Sequence, residues 1–121
     1  MQRLFKSFGY AFQGIGFAFR TQANLRIHLV ISSLVILAGL WLQVSGVEWA
    51  ILVVTMMIVL SAELFNTALE AALDRVSTEE HPLAKVAKDS AAGAVLIGAI
   101  GAVIVGLLIF GPKLLVLIAP R

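Results

Sequence analysis

The chain has 121 residues, 60% of them hydrophobic and 13% charged, with a formal net charge of +2. Apolar residues this numerous, gathered in long runs rather than alternating, exclude an ordinary soluble domain and point to an integral membrane protein. The absence of cysteine removes disulfides, thiolate nucleophiles and sulfur-ligated zinc, and so small a net charge argues against nucleic acid as a partner.

Residues 1–20 read as an amphipathic helix lying on a membrane surface. Leu4, Phe5, Phe8, Phe12, Ile15 and Phe19 recur at spacings of three and four, while Gln2, Lys6 and Gln13 occupy another face. Gly9, Gly14 and Gly16 each weaken it in isolation by about 1 kcal/mol against alanine, so its order must come from lipid or from neighbouring helices. It lacks the compact apolar stretch and cleavage site of a signal peptide. A short polar link then leads to the first spanning segment, residues 27–47, interrupted only by Ser32, Ser33, Gln43 and Ser45. His28 at its start reads as an interfacial or hydrogen-bonded residue rather than a metal ligand. Trp41 and Trp49, on either side of the following turn, suit an aromatic belt.

The second spanning helix is expected over residues 49–75. A polar run over residues 77–81 reads as a loop, and Pro82 suits the first turn of a third helix, residues 82–110. That helix carries Ala94, Gly98, Ala102 and Gly106 at a four-residue period, a stripe that lets another helix approach closely. Gly111-Pro112 should end or kink it. The expected fold is a single all-α membrane domain over residues 1–121: an N-terminal surface helix plus three transmembrane helices, in an oligomeric bundle.

Arg3, Lys6, Arg20 and Arg26 precede the first span, none of the nine Lys and Arg lies between spans one and two, and Arg75, Lys85 and Lys88 lie between two and three. The positive-inside rule therefore places the N-terminus and the second loop in the cytoplasm. On that side the second helix ends in Glu63-Leu-Phe-Asn66-Thr-Ala-Leu-Glu70-Ala-Ala-Leu-Asp74-Arg75. At 100° per residue Glu63, Glu70 and Asp74 fall within roughly 40° of one another, with Asn66 about 60° to one side and Thr67 on the other. The row extends over about 16 Å. In a helix starting at Trp49, Glu63 stands roughly 20 Å along and Glu70 roughly 30 Å, so Glu63 is sunken and Glu70 lies near the surface of a core about 30 Å thick. An acid placed there costs about 2.5–3.5 kcal/mol or more, which makes a functional role the default.

The chain has no P-loop, dinucleotide fingerprint or HExxH. What converges instead is a sunken carboxylate, hard oxygens from Asn66, Glu70 and Asp74 suited to Mg²⁺, and Lys88 with Asp89 opening the third helix. Metal, phosphate cation and base are the requirements of phosphoryl transfer, and a base just inside the bilayer implies that the accepting hydroxyl belongs to a lipid.

The order Glu-x-x-Asn-Thr/Ser-Ala-Leu/Ile-Glu-x-x-x-Asp-Arg, met here from Glu63 to Arg75 and followed by Ala87-Lys88-Asp89, resembles the signature of the small bacterial membrane lipid kinases. These are the prokaryotic diacylglycerol kinases and their undecaprenol kinase relatives. The wording around His81-Pro-Leu-Ala-Lys and Lys88-Asp-Ser-Ala-Ala-Gly93 looks more like the undecaprenol kinase branch. The resemblance implies ATP-dependent phosphorylation of a lipid hydroxyl, most simply undecaprenol with diacylglycerol as runner-up, in the bacterial inner membrane. It implies Glu63 as general base, Glu70 as ligand of the Mg²⁺ that accompanies ATP, Asn66 helping to order the phosphates or the metal, and Lys88 on the nucleotide phosphates. Asp74 and Asp89 would fix partners around the site, with Arg3, Lys6, Tyr10 and His81 around the nucleotide. A homotrimer with shared active sites is implied too. The family commonly has a second metal-binding glutamate before the first span; Gln22 stands at the matching position, an amide that offers oxygen without charge. The alternative of another class is a small oligomeric proton-coupled transporter with Glu63 as relay. Such a transporter needs water on both sides of Glu63, yet residues 49–60 offer only Thr55 as a polar group.

Overall fold

The structure, a computed structural model, describes residues 1–76 and 81–119. The loop expected over residues 77–80 and the terminal Arg121 of the charge count lie outside them. The described chain is four helices without a strand: α1 (Gln2–Thr21), α2 (Ala23–Trp41), α3 (Gly46–Val76) and α4 (Pro82–Ile118). The last three are long and apolar enough to cross a membrane. Helices α3 and α4 form the main antiparallel pair, α2 lies against α3, and α1 touches both α2 and α3.

The first span starts earlier than its apolar run suggests, because the polar link supplies its first turn. Gln22 is extended (φ −108°, ψ 111°) and breaks α1 from α2, donating its N–H to Ala18 O at 2.8 Å. The Arg26 guanidinium reaches back to Phe19 O (2.9 Å) and Arg20 O (3.1 Å), occupying carbonyls that the end of α1 would leave free. Ala18 and Leu25 are buried in the corner so formed.

The same span stops at Trp41, six residues short of the expected limit. Gln43 adopts φ 51°, a left-handed conformation costly for a residue with a Cβ. The bonds Val44 N–H to Gly39 O (3.1 Å) and Gln43 N–H to Leu40 O (3.3 Å) complete a Schellman termination. Ser45 then caps α3: its hydroxyl accepts from Glu48 N–H (3.2 Å) while Glu48 Oε2 accepts from Ser45 N–H (2.7 Å). This reciprocal pair starts α3 at Gly46, ahead of Trp49.

Trp49 is more than an interfacial anchor. Its ring lies over Gly39, where an added Cβ would come within 2.7 Å of Cη2, and it packs on the cluster of Val44, Leu52 and Ile109. Trp41, by contrast, is exposed as an anchor should be. One residue of the small-residue stripe packs within the chain: Gly98 faces Val59 of α3, with Cγ2 3.6 Å from where its Cβ would be. Beyond it α4 does not end at Gly111-Pro112 but runs on to Ile118. Membrane helices tolerate proline where neighbours re-satisfy the backbone, and here Lys113 pins the segment to Glu48 of α3 at 3.2 Å.

Few side chains are buried, and large apolar ones such as Ile97, Leu108 and Phe65 face outward. That surface suits lipid rather than water. The polar exceptions among the buried residues are Glu63, Asn66 and Thr67.

Candidate active site

The acidic row is built by the periodicity of α3 and enclosed by its neighbours. Burial falls along it: Glu63 is 2% exposed, Asn66 9%, Glu70 half-buried and Asp74 exposed. The row therefore turns into the helix packing rather than outward to acyl chains. Thr67 Oγ1 donates to Glu63 O at 2.9 Å, and Asn66 Nδ2 donates to Glu70 Oε1 at 3.2 Å.

What these bonds leave unmade is chemically informative. Glu63 Oε1 and Asn66 Oδ1 are buried acceptors without a hydrogen-bond donor. A buried polar atom in that condition costs about 1–3 kcal/mol, and a native fold keeps one only where something compensates. His28 of α2 is the neighbour: its Nε2 lies 3.3 Å from Glu63 Oε1, near enough for electrostatic contact without the alignment of a hydrogen bond. The sequence reading set His28 aside. It shares the packed face of α2 with Leu25, Ser32, Val35 and Gly39, which is the signal that could have brought it in.

Lys88 reaches across from α4 to Asp74 Oδ1 at 2.6 Å and lies within electrostatic range of Glu70. Lys88 and Asp74 are 42% and 67% exposed, and a solvated pair of that kind is worth about 0–1 kcal/mol, so Lys88 is readily exchanged to another anion. Asp89 behaves differently from its neighbour. It pairs with Lys85 along the exposed face of α4 at 2.5 Å, not with the acidic row. His81 caps α4, Nδ1 accepting from Leu83 N–H at 3.1 Å. Arg3, Lys6 and Tyr10 stand exposed along α1, and among the described residues no side-chain hydrogen bond joins them to Glu63, Asn66 or Glu70. Gln22 sits half-buried at the α1–α2 break.

Among the described residues no three His, Asp or Glu side chains converge as a complete metal cage. Mg²⁺ does not require one, since it is commonly held by one or two carboxylates with the rest of its octahedron from water and phosphate. Glu70, beside the unpartnered Asn66 Oδ1, fits that demand. On the side of α3 facing α4, Asn66 also borders an open, mainly apolar groove of about 710 Å³ whose walls include Val54, Ile58, Phe65 and Ala91.

A helical membrane protein that buries an acceptor-rich carboxylate row beside a free amide oxygen and an exchangeable lysine has the makings of a membrane-embedded transferase. Comparison with known sequences gives the family. The sequence model described as "Prokaryotic diacylglycerol kinase" matches residues 9–110, and the chain belongs to that family. It is similar to an undecaprenol kinase of Bacillus subtilis (strain 168), 43% identical over 114 residues, covering 94% of this chain and 93% of the relative. It is also similar to a diacylglycerol kinase of Synechocystis sp., 48% identical over 113 residues, covering 93% of this chain and 65% of the relative. The diacylglycerol kinase of Escherichia coli (strain K12) is 36% identical over 102 residues, 84% of each chain. The chain is thus a multi-pass membrane lipid kinase carrying out ATP-dependent phosphoryl transfer. The transporter alternative loses its ground.

Proposed function

We propose that this kinase phosphorylates undecaprenol to undecaprenyl phosphate at the cytoplasmic face of the bacterial inner membrane, with Glu63 as general base. The observation that carries the chemistry is a carboxylate buried within a membrane helix beside the unpartnered amide oxygen of Asn66. Glu63 takes the proton as the lipid O–H bond breaks. The lipid oxygen forms a bond to the γ-phosphorus while the bond from that phosphorus to the bridging oxygen breaks, and ADP leaves. Bound Mg²⁺ would neutralise charge on the phosphates; Glu70, with Asn66 Oδ1 and with Gln22 as an uncharged contributor, would hold it. Lys88, released from Asp74, would meet phosphate oxygens, and Asp74 would steady it.

Arg3, Lys6, Tyr10 and His81 complete the nucleotide surroundings in this reading, and Asp89 keeps Lys85 beside it. Among the described residues Arg3, Lys6 and Tyr10 make no side-chain hydrogen bond to the acidic row of their own chain, which is accounted for if the protein is a homotrimer in which neighbouring subunits share sites. The cytoplasmic orientation follows from the Lys and Arg bias about the spans. The apolar groove bordered by Asn66 suits a substrate whose alcohol is its one reactive polar group.

Undecaprenol is preferred because the wording after His81 and the long overlap with the Bacillus undecaprenol kinase agree. Diacylglycerol is the second reading, favoured by the 48% identity to the Synechocystis enzyme. Purified protein offered both lipids together in mixed micelles, with γ-labelled ATP and Mg²⁺, should place most label in undecaprenyl phosphate. A preference for phosphatidic acid would reverse the substrate assignment and leave the chemistry intact.

A further inference from the structure

Glu63 is enclosed so completely that its side chain is 3% exposed, yet the lipid kinase reading requires it to act as an anion. A buried carboxylate is costly unless something nearby supports its charge. Among the described residues one histidine, lysine or arginine side chain comes within 4 Å of it: His28, whose Nε2 is 3.3 Å from Oε1. The contact joins α2 to α3 across 35 positions of sequence, so it is made by the fold and not by local spacing. His28 is held there by the α2 face that also buries Leu25, and its own side chain keeps 19% of its surface exposed. A neutral imidazole protonated at Nε2 is a donor, and a small turn of the ring aligns it on an oxygen that has no other donor.

We infer that His28 is a positioning residue for the base: it holds Oε1 of Glu63 from the α2 side and turns the second carboxylate oxygen toward the lipid hydroxyl. The inference rests on the reading of Glu63 as general base. A side chain that orients a reacting group in this way affects the chemical step more than the binding of either substrate.

Label transfer from ATP to lipid in mixed micelles tests it with four proteins: the parent, His28→Leu, His28→Gln and Glu63→Gln. His28→Leu should lower kcat about 10–100-fold, with KM for ATP and for lipid within about twofold of the parent. His28→Gln places an amide N–H near the Nε2 position and should recover kcat to within about threefold. Equal losses in the Leu and Gln variants, or a Leu variant within about threefold of the parent, would overturn the inference. Should Glu63→Gln itself keep normal turnover, the base assignment fails; an inactive Glu63→Gln beside an unaffected His28→Leu defeats only the role of His28. A second readout needs neither His28 variant to fold. The chain has two histidines, and the ¹⁵N resonance of His28 Nε2 should move between the parent and Glu63→Gln; an unmoved resonance contradicts the contact.

Discussion

Helix α3 carries Glu48 in its first turn and Glu63 just past its middle, and the fold treats the two carboxylates in opposite ways. Glu48 is fully employed: its Oε2 accepts from Ser45 N–H at 2.7 Å and pairs with Lys113 at 3.2 Å, closing the α2–α3 turn and tying down the end of α4. Glu63 is far more deeply buried, yet its Oε1 has no donor, and Asn66 Oδ1 one turn on is left equally bare. Burial without satisfaction destabilises a fold, so the region around Glu63 is where stability has been given up for chemistry. The Glu48 region builds the molecule, and the Glu63 region uses it.

Substitutions in the two regions should therefore separate activity from stability. After Glu63 itself, the largest effect is expected at Asn66. Asn66→Ala removes the bare oxygen and the donor to Glu70, and should reduce label transfer about 10²-fold with no loss of thermal stability in detergent. A variant that unfolds instead would show Asn66 to be a structural bond. Next comes Gly39→Ala, which pushes a methyl group into the Trp49 ring at 2.7 Å. It should destabilise by about 1–3 kcal/mol in denaturant titration while activity per folded molecule is kept. Gln43→Gly relieves the left-handed residue of the turn and should stabilise by about 0.5–1 kcal/mol, again without kinetic effect. Smallest is Lys113→Met, where a slight fall in melting temperature is expected, since ion pairs near a helix end contribute little. A kinetic change in any of the last three would blur the division between the regions.

The sequence made the spans legible because lipid demands long apolar runs, and 100° periodicity put Glu63, Asn66 and Glu70 on neighbouring lines of one helix. Helix limits were harder to read. The turn after Trp41 uses Gln43 where glycine is usual, so its Schellman bonds carry no sequence mark. Ser45-x-x-Glu48, in the stretch that reads as the turn between the spans, is a capping box that places the start of α3. Pro112 misleads because the helix-breaking rule is taken from water, and α4 continues through it to Ile118. Contacts between helices were not legible at all. Periodicity assigns His28 and Trp49 to faces of their own helices but not to the partners, Glu63 and Gly39, that the packing brings against them. Asp89 adjoins Lys88 in sequence, but a 100° step sends it to Lys85 instead.

The contrast between the two carboxylates is tested most directly by Glu63→Gln and Glu48→Gln side by side, each assayed for transfer of γ-phosphate label into lipid and for thermal stability. Glu63→Gln should lose about 10³-fold or more in turnover with a melting temperature at or above that of the parent, and Glu48→Gln should keep its turnover and melt earlier. Turnover in Glu63→Gln within about tenfold of the parent would contradict the assignment of the buried carboxylate as the base.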